Sequence, residues 1–417
     1  MGYEKNKMIE YQDRGYGHSE KYFCADCFGD KFLKRYIHRY GNKGQCSFCK
    51  NSSGRAVERN VVPVDEIMEI ISKVIHRDYK PALGWAIYDP EEERYLEAVL
   101  DPYEFVRDEL NQYMECENDE VLDEIMDTLQ CEDRISTKEW RTKQDETDMK
   151  EWEKFCKLVR NSALSAEQIV TECGRERASE NLQEMKACMD KIYIYMRELQ
   201  LIRKTRPSQK IIRCVTHIEK DFLQKYDIPV IPATLIGTAP PFLTNDNRMS
   251  EKGDMMFYGS FEEEVALKEI GVENGQLVTI GRFHTNKEIG VLDLTKFTDC
   301  ELRSIFDVEN SDKRSMWFFV KNFIQSISGE KDETEKDFYK PTQVFTKYVQ
   351  RKTGLQGIVY HSAKFSIQEK NGIPQYRKNV VLFVENRDCL EEGDMTDKHR
   401  MQLIMEPEPK QYVYKEE

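Results

Sequence analysis

The sequence predicts a chain of several domains: a small four-cysteine zinc module of the ribbon or treble-clef kind, an α-helical middle, and an α+β C-terminal half. Three observations predict it. Two Cys-x-x-Cys pairs stand eighteen residues apart near the start, apolar residues recur at three- and four-residue spacings from Pro63 to about Arg203, and Pro, Gly and short apolar runs become frequent after Arg206-Pro207-Ser208. At 417 residues the chain exceeds what one compact core accommodates. Expected boundaries are 18–60 for the zinc module, 61–205 for the helical region, 208–392 for the α+β domain and 393–417 for an acidic tail.

The first element carries Cys24-Ala-Asp-Cys27 and Cys46-Ser-Phe-Cys49. A Cys-x-x-Cys turn delivers two thiolates from one knuckle, and two such turns at this separation close a tetrahedral Zn²⁺ site. Cys24, Cys27, Cys46 and Cys49 are therefore the predicted ligands. With no coordination position left open, the zinc is expected to be structural. No βαβ pattern surrounds either pair, which argues against a redox dithiol. The stretch Phe32 to Tyr40 predicts a short helix between the knuckles, and Met1 to Gln12 is read as an unanchored arm.

The helical region opens after Pro63, with Asp65 as candidate N-cap and Ile67, Ile70, Ile71, Val74 and Ile75 on one face. Further helical patterns run over Pro102 to Met114, Val121 to Leu129, Trp152 to Val159, and roughly Ser165 to Arg203. In the last, Leu182, Met185, Met189, Ile192, Met196 and Leu199 form a stripe read as core. Strands are predicted at Gln276 to Gly281, Gly290 to Leu294, Gly357 to Tyr360 and Asn379 to Val384, and Glu406 to Glu417 is read as a frayed end.

Composition limits partners and location. The net charge of −14 and pI of about 5.3 would repel a phosphate backbone unless a basic face were segregated on one domain, and Lys31 to Arg39 is read as a solvated helix face. Nucleic acid is thus not an expected partner. No run of eighteen apolar residues exists and the first thirty residues are rich in charge, so no membrane partner is expected. The scattered remaining cysteines fit a reducing cytoplasm.

In the C-terminal half, Asp246-Asn-Arg248-Met-Ser250-Glu-Lys-Gly253-Asp-Met-Met-Phe-Tyr258-Gly259 leads into a helical pattern ending Val265-Ala-Leu-Lys-Glu269. This resembles the core of a RES domain, whose loop arginine precedes a strand-end tyrosine by ten residues and a helical glutamate by twenty-one, the separations of Arg248, Tyr258 and Glu269. Tyr339-Lys-Pro-Thr-Gln343, Gly357-Ile-Val-Tyr-His-Ser362 and Asn379-Val-Val-Leu-Phe383 resemble later blocks in order. Ser362 takes the place of the family's serine. Arg213 resembles an earlier arginine.

The zinc module and helical segment are similar to an arrangement found fused to some RES domains and described as HEPN-like. The ribonuclease motif of HEPN domains has four to six residues between an arginine and a following histidine, and no histidine here has an arginine at that distance: Arg14 with His18 and Arg213 with His217 have only three between. The chain also departs from many RES domains in carrying Met249, where an aromatic residue follows the loop arginine.

The resemblance implies an ADP-ribosyltransferase-like fold and an NAD⁺-degrading enzyme, a glycohydrolase or phosphorylase, acting as a toxin or anti-phage effector. Breaking the nicotinamide–ribose bond passes through an oxocarbenium-like state, so a carboxylate near the sugar is required. Glu269 is implied to hold the ribose hydroxyls, Arg248 and Arg213 to clamp the diphosphate, Tyr258 to face a ring, and Ser362 to position ribose or carboxamide. Ser250 joins Arg213 and Tyr258 among the implied cofactor-binding residues. Glu262, Glu263 and Glu264 are read as a solvated helix start. His284 and His361 are set aside because departing nicotinamide needs no general acid. An antitoxin or sensor protein is an implied partner, and the N-terminal regions are expected to serve self-association, sensing or inhibition. Two other outcomes are open at this stage: ADP-ribosyl transfer to a macromolecule, and a non-catalytic nucleotide-binding adaptor.

Overall fold

The computed structural model describes residues 11, 14–50, 56–82, 88–95, 99–129, 135–136, 143–207, 209–217, 231–328, 337–364, 368–370, 373–375, 377–394, 397 and 399–415. The expected N-terminal arm lies outside these residues except at 11. Two compact units emerge, residues 1–146 with 302–316, and residues 147–301 with 317–417.

In the first unit, β1 (Tyr22–Cys24), β2 (Asn42–Lys50) and β3 (Ala56–Pro63) form an antiparallel sheet in the order β1-β3-β2. Helix α1 (Lys31–Tyr40) lies between the two knuckles, as expected. Asp30 starts it, its carboxylate accepting the backbone N–H groups of Phe32 and Leu33. Leu33 and Ile37, four apart on one helix face, are fully buried in a core with Phe23, Phe28 and Phe48.

Helix α2 (Val64–Asp78) has Pro63 at its N-cap rather than Asp65. Asp65 sits in the first turn, where its carboxylate favours the helix dipole and accepts the Ser19 backbone N–H at 2.9 Å. Ile67, Ile71 and Val74 are buried as the periodicity requires. The segment expected over 102–114 is helical throughout, with a π-turn at Phe105–Leu110. Helix α3 (Asp119–Thr128) follows, capped by the Asn118 side chain.

The expected single helical region of 61–205 is divided between the units. Helices α4 (Lys143–Asn161), α5 (Ala166–Glu172) and α6 (Glu180–Glu198) belong from Thr147 onward to the second unit. Its cause is the stripe itself: Met185, Met189, Ile192 and Met196 are buried with Phe319, Phe323, Val344 and Phe345 and with the sheet residues Leu292, Ile358 and Val381. The pattern read as helical from Ser165 to Arg203 is interrupted. A turn at 173–179 parts α5 from α6, and Ile202–Thr205 is a strand, β4. Edge pairing decides the latter, because β4 runs antiparallel to β8 (Ile289–Asp293).

The second unit is built on a ten-stranded mixed sheet that also contains β5 (Ile211–His217), β6 (Phe257–Ser260), β7 (Leu277–Thr285), β9 (Gly357–His361), β10 (Lys378–Leu382), β11 (Cys389–Glu391), β12 (Leu403–Met405) and β13 (Lys410–Val413). The order is β11-β12-β7-β5-β6-β10-β9-β8-β4, with β13 also on β7. All four predicted strands are present, as β7, β8, β9 and β10. Helix α7 (Glu263–Ile270) covers part of one face through Ala266, packed with Cys214, Val278 and Ile280. Helix α8 (Ser311–Ser328) passes from the first unit to the second at Trp317, and α9 (Lys340–Lys352) is buried from Pro341 to Val349.

The expected frayed end is corrected by β12 and β13, which both pair antiparallel with β7. The apolar run Leu403-Ile-Met405 is buried, and the acids Glu406 and Glu408 lie in the connection that follows it. Charge in the connection masked strand propensity on either side.

Candidate active site

The centre of the sheet is parted. Strands β5 and β6 share a single pair, Ile212 with Ser260, whereas β5 pairs with β7 over seven residues. Gly259 permits even this approach, since a Cβ there would stand 2.6 Å from Ile211 Cγ2. A cavity of about 610 Å³ opens beside the parting, lined by Arg213, Arg248, Ser250, Tyr258 and Glu269 among others. Its size falls in the range of small-molecule and cofactor sites. Ser362 joins the group through a hydrogen bond to Glu269. All six residues expected of the site are therefore brought together.

Glu269 lies in the last turn of α7, three and four residues after the buried Ala266 and Val265, so it shares their inward face. Both donors that reach it meet on one oxygen: the Ser362 hydroxyl and the Asn379 Nδ2, at 2.6 Å, donate to Oε1. The other oxygen, Oε2, has no protein hydrogen bond among the described residues. Ser260 donates to the Asn379 carbonyl oxygen, which fixes the amide with its NH₂ toward Glu269. A carboxylate at a helix C-terminus opposes the helix dipole. Lys364 offsets this by donating to the terminal carbonyls of Lys268, at 3.2 Å, and Glu269, at 2.8 Å.

Arg248 comes from the loop before β6. Its Nη1 donates to the Ile327 carbonyl at 2.8 Å, and its Cζ stands 5.8 Å from the Tyr339 ring centroid. Helix α9 holds this loop. Gln343 donates to the carbonyls of Asn247, at 2.8 Å, and Ser250, at 3.1 Å, and the buried Lys347 pairs with Asp254 at 2.8 Å. Met249 points away from the cavity into the core, where its sulfur accepts from Thr346. The aromatic group beside Arg248 thus comes from Tyr339, ninety-one residues later in the chain.

Ser250 and Tyr258 bond to each other, hydroxyl to hydroxyl at 2.8 Å, and burial raises the Tyr258 phenol above its ordinary pKa. Arg213 is committed to the scaffold: Nε donates to Ile236 O at 2.8 Å and Nη1 to Tyr258 O at 2.6 Å. Burial pushes the neighbouring Cys214 thiol up to about 12, making it a neutral wall of the cavity rather than a nucleophile. His361 lines the cavity and burial lowers its pKa, while His284 lies on β7 outside the lining.

Sequence reasoning missed Asn379, Ser260, Tyr339 and Lys364. The blocks Tyr339 to Gln343 and Asn379 to Phe383 stand out in the sequence, but no spacing rule says which of their residues reaches the site.

Residues 225–403 match the RES domain family and residues 39–163 match HEPN/RES N-terminal domain 1. The chain carries a RES domain. At the level of the family, that domain points to a toxin-associated enzyme acting on NAD. No curated protein and no solved structure matches the chain. The RES match begins after β5 and ends within β12, so Arg213 and β13 lie outside the matched span although they complete the same sheet.

The second chemical cluster belongs to the first unit. The sulfur atoms of Cys24, Cys27, Cys46 and Cys49 all lie within 4.8 Å of one another, three of these residues buried and Cys49 half-buried. Cys27 stands 3.9 Å from Cys24, 3.5 Å from Cys46 and 3.7 Å from Cys49. A tetrahedron with Zn–S bonds of about 2.3 Å has sulfur–sulfur edges of about 3.8 Å, so the residues present fit such an ion. The Cys49 backbone N–H points at Cys46 Sγ at 3.4 Å, and Arg59 Nη1 approaches Cys24 Sγ at 3.7 Å, both suited to thiolate charge. None of the described cysteines forms a disulfide, and no described helix is long and apolar enough to cross a membrane.

Proposed function

We propose that the RES domain cleaves the nicotinamide–ribose bond of NAD⁺, with the sheet that parts between β5 and β6 serving as an ADP-ribosyltransferase-like frame. The observation that carries this reading is Glu269: a carboxylate on the inward face of α7, held through one oxygen and leaving the other for substrate, at a cavity shared with Arg248.

In this mechanism Oε2 of Glu269 accepts from the ribose hydroxyls and stabilises the positive charge that grows on the anomeric carbon as nicotinamide leaves. The bond to nicotinamide takes its electron pair with it and neutralises the pyridinium nitrogen, so no proton donor is needed. Arg248 places its guanidinium at the cavity to hold the diphosphate, and Tyr339 keeps that side chain in place. Tyr258, fixed by Ser250, offers its ring to the substrate. Ser362 keeps Glu269 in register. Arg213 supports the site chiefly by joining the Ile236 and Tyr258 carbonyls.

The acceptor is water or phosphate, giving ADP-ribose or its 1-phosphate. The four cysteines are assigned a structural Zn²⁺, which supplies fold stability to the first unit and takes no part in the reaction. We assign the chain to the toxin or anti-phage class, kept in check by a partner or by its own N-terminal regions.

The test is incubation of purified protein with NAD⁺, with and without phosphate, separating nicotinamide, ADP-ribose and its phosphorylated counterpart by chromatography. Nicotinamide release by the wild type and its loss in Glu269→Gln is the expected result. Labelled macromolecule in place of free product would move the reading to ADP-ribosyl transfer. NAD⁺ binding without turnover would leave an adaptor.

A further inference from the structure

The charge of this chain is not evenly spread. Between Lys31 and Lys50 there are six lysines and arginines and no aspartate or glutamate, in a molecule of net charge −14. This segment is helix α1 with the strand β2 that follows it. At about 100° per residue, α1 turns Lys34, His38, Lys31, Arg35 and Arg39 consecutively across an arc of about 140°, opposite the buried Leu33 and Ile37. Every side chain in that arc is basic. All are exposed except the half-buried Lys34.

Several cations elsewhere in the first unit are paired: Arg107 with Asp119 and Asp123, Lys21 with Glu124, Arg59 with Asp26. Lys34, Arg35, Arg39 and Lys43 have no carboxylate within ion-pair distance among the described residues. Like charges four residues apart, as at Lys31, Arg35 and Arg39, repel one another and destabilise a helix. The fold therefore keeps an unfavourable arrangement on one surface.

At the C-terminal end of the stripe, the Tyr40 ring is 55% exposed, stands 4.8 Å from the Tyr36 ring and has the Arg39 guanidinium 5.3 Å from its centroid. The ring is held between two neighbours and presents itself to solvent. A row of basic side chains, with Lys34, Arg35, Arg39 and Lys43 outside any ion pair among the described residues, ending in a braced aromatic ring matches what a single-stranded nucleic acid requires, phosphates along the row and an unpaired base on the ring. A bilayer would need apolar side chains beside the charges, and here Leu33 and Ile37 are buried.

We propose that helix α1 and the start of β2 form a binding surface for single-stranded nucleic acid, separate from the RES-domain cavity. The strand runs along Lys31, Arg35 and Arg39, is joined from the side by Lys34 and Lys43, and stacks one base on Tyr40. Binding is independent of the base sequence.

The test uses the full chain and fluorescence anisotropy with fluorescein-labelled single-stranded oligouridylate, the same-length DNA strand, and a DNA duplex, over a range of salt. Expected is binding to the single strands that weakens with salt, with a log–log slope near −3.5 for five phosphate contacts at about 0.7 each. The charge reversal K34E/R35E/R39E abolishes it, the milder K34A/R35A/R39A reduces the slope by roughly 2, and Y40A weakens affinity roughly 5- to 150-fold. Metal content and melting temperature verify that each variant is folded. Preference for the duplex, equal binding by the charge-reversed protein, no binding at low salt, or stronger retention by phosphatidylserine vesicles or polyglutamate each overturns the proposal. NAD⁺ turnover is a separate readout and does not enter this result.

Discussion

Asn379 donates at 2.6 Å to the same oxygen of Glu269, Oε1, that receives the Ser362 hydroxyl. The amide cannot turn over without losing Ser260, which donates to its carbonyl oxygen. Three residues from three segments thus determine which carboxylate oxygen meets a ligand.

That chain predicts a graded loss. A hydrogen bond to a charged group is worth about 1.5–3 kcal/mol, so Asn379→Leu is expected to lower kcat for NAD⁺ cleavage roughly 10- to 150-fold with KM little changed. Glu269→Gln is expected to lose about 100-fold or more. Steady-state kinetics at several NAD⁺ concentrations would check both, and a loss confined to KM in Asn379→Leu would count against the arrangement.

Arg213 predicts the opposite pattern. Its replacement by Ala leaves the Ile236 and Tyr258 carbonyls without their donor, a cost of about 1–3 kcal/mol for each buried acceptor. A fall in melting temperature of at least about 4 °C is expected, read by calorimetry. Arg248→Ala, by contrast, should chiefly raise KM, because its guanidinium is the one proposed to hold diphosphate.

Two histidines set an acid limit. Burial lowers the folded-state pKa of His217 and His361 below the ordinary value of about 6.5. Between the two values the unfolded chain binds more protons, so their contribution to stability is present above about pH 6.5 and is lost as pH falls through the folded pKa. Melting temperatures measured from pH 7.5 down to about 5 should decline, and the decline should be shallower in His217→Gln, which can still accept from or donate to Thr279 Oγ1, now 2.7 Å from the ring nitrogen.

Metal removal addresses the first unit. Elemental analysis should find one zinc per chain, and prolonged chelation or Cys46→Ser should release it and open the segment 18–63 to proteolysis. Retained protease resistance without metal would show that the core around Phe23, Phe28 and Phe48 holds these strands by itself.

Much of this architecture was legible because it is periodic. The stripe from Met185 to Met196 and the strands β7 to β10 followed from spacing alone, and the cysteine cluster from the chemistry of paired thiolates. The site needed the resemblance to a RES domain, since Arg248, Tyr258 and Glu269 carry no local pattern that distinguishes them from surface or core residues. What stayed hidden depends on distant partners. Nothing near Ile202–Thr205 announces β8, nothing near Asn379 announces Glu269, and the acids Glu406 and Glu408 concealed the strands on both sides of them.

Strands β12 and β13, which cover one edge of β7, are the last of the sheet to leave the ribosome. Until they arrive, β7 has an open edge, and β7 is the direct neighbour of the strand bearing Arg213. The cavity beside Arg213 is thus framed by strands that are all made before the two that guard the outer edge of β7.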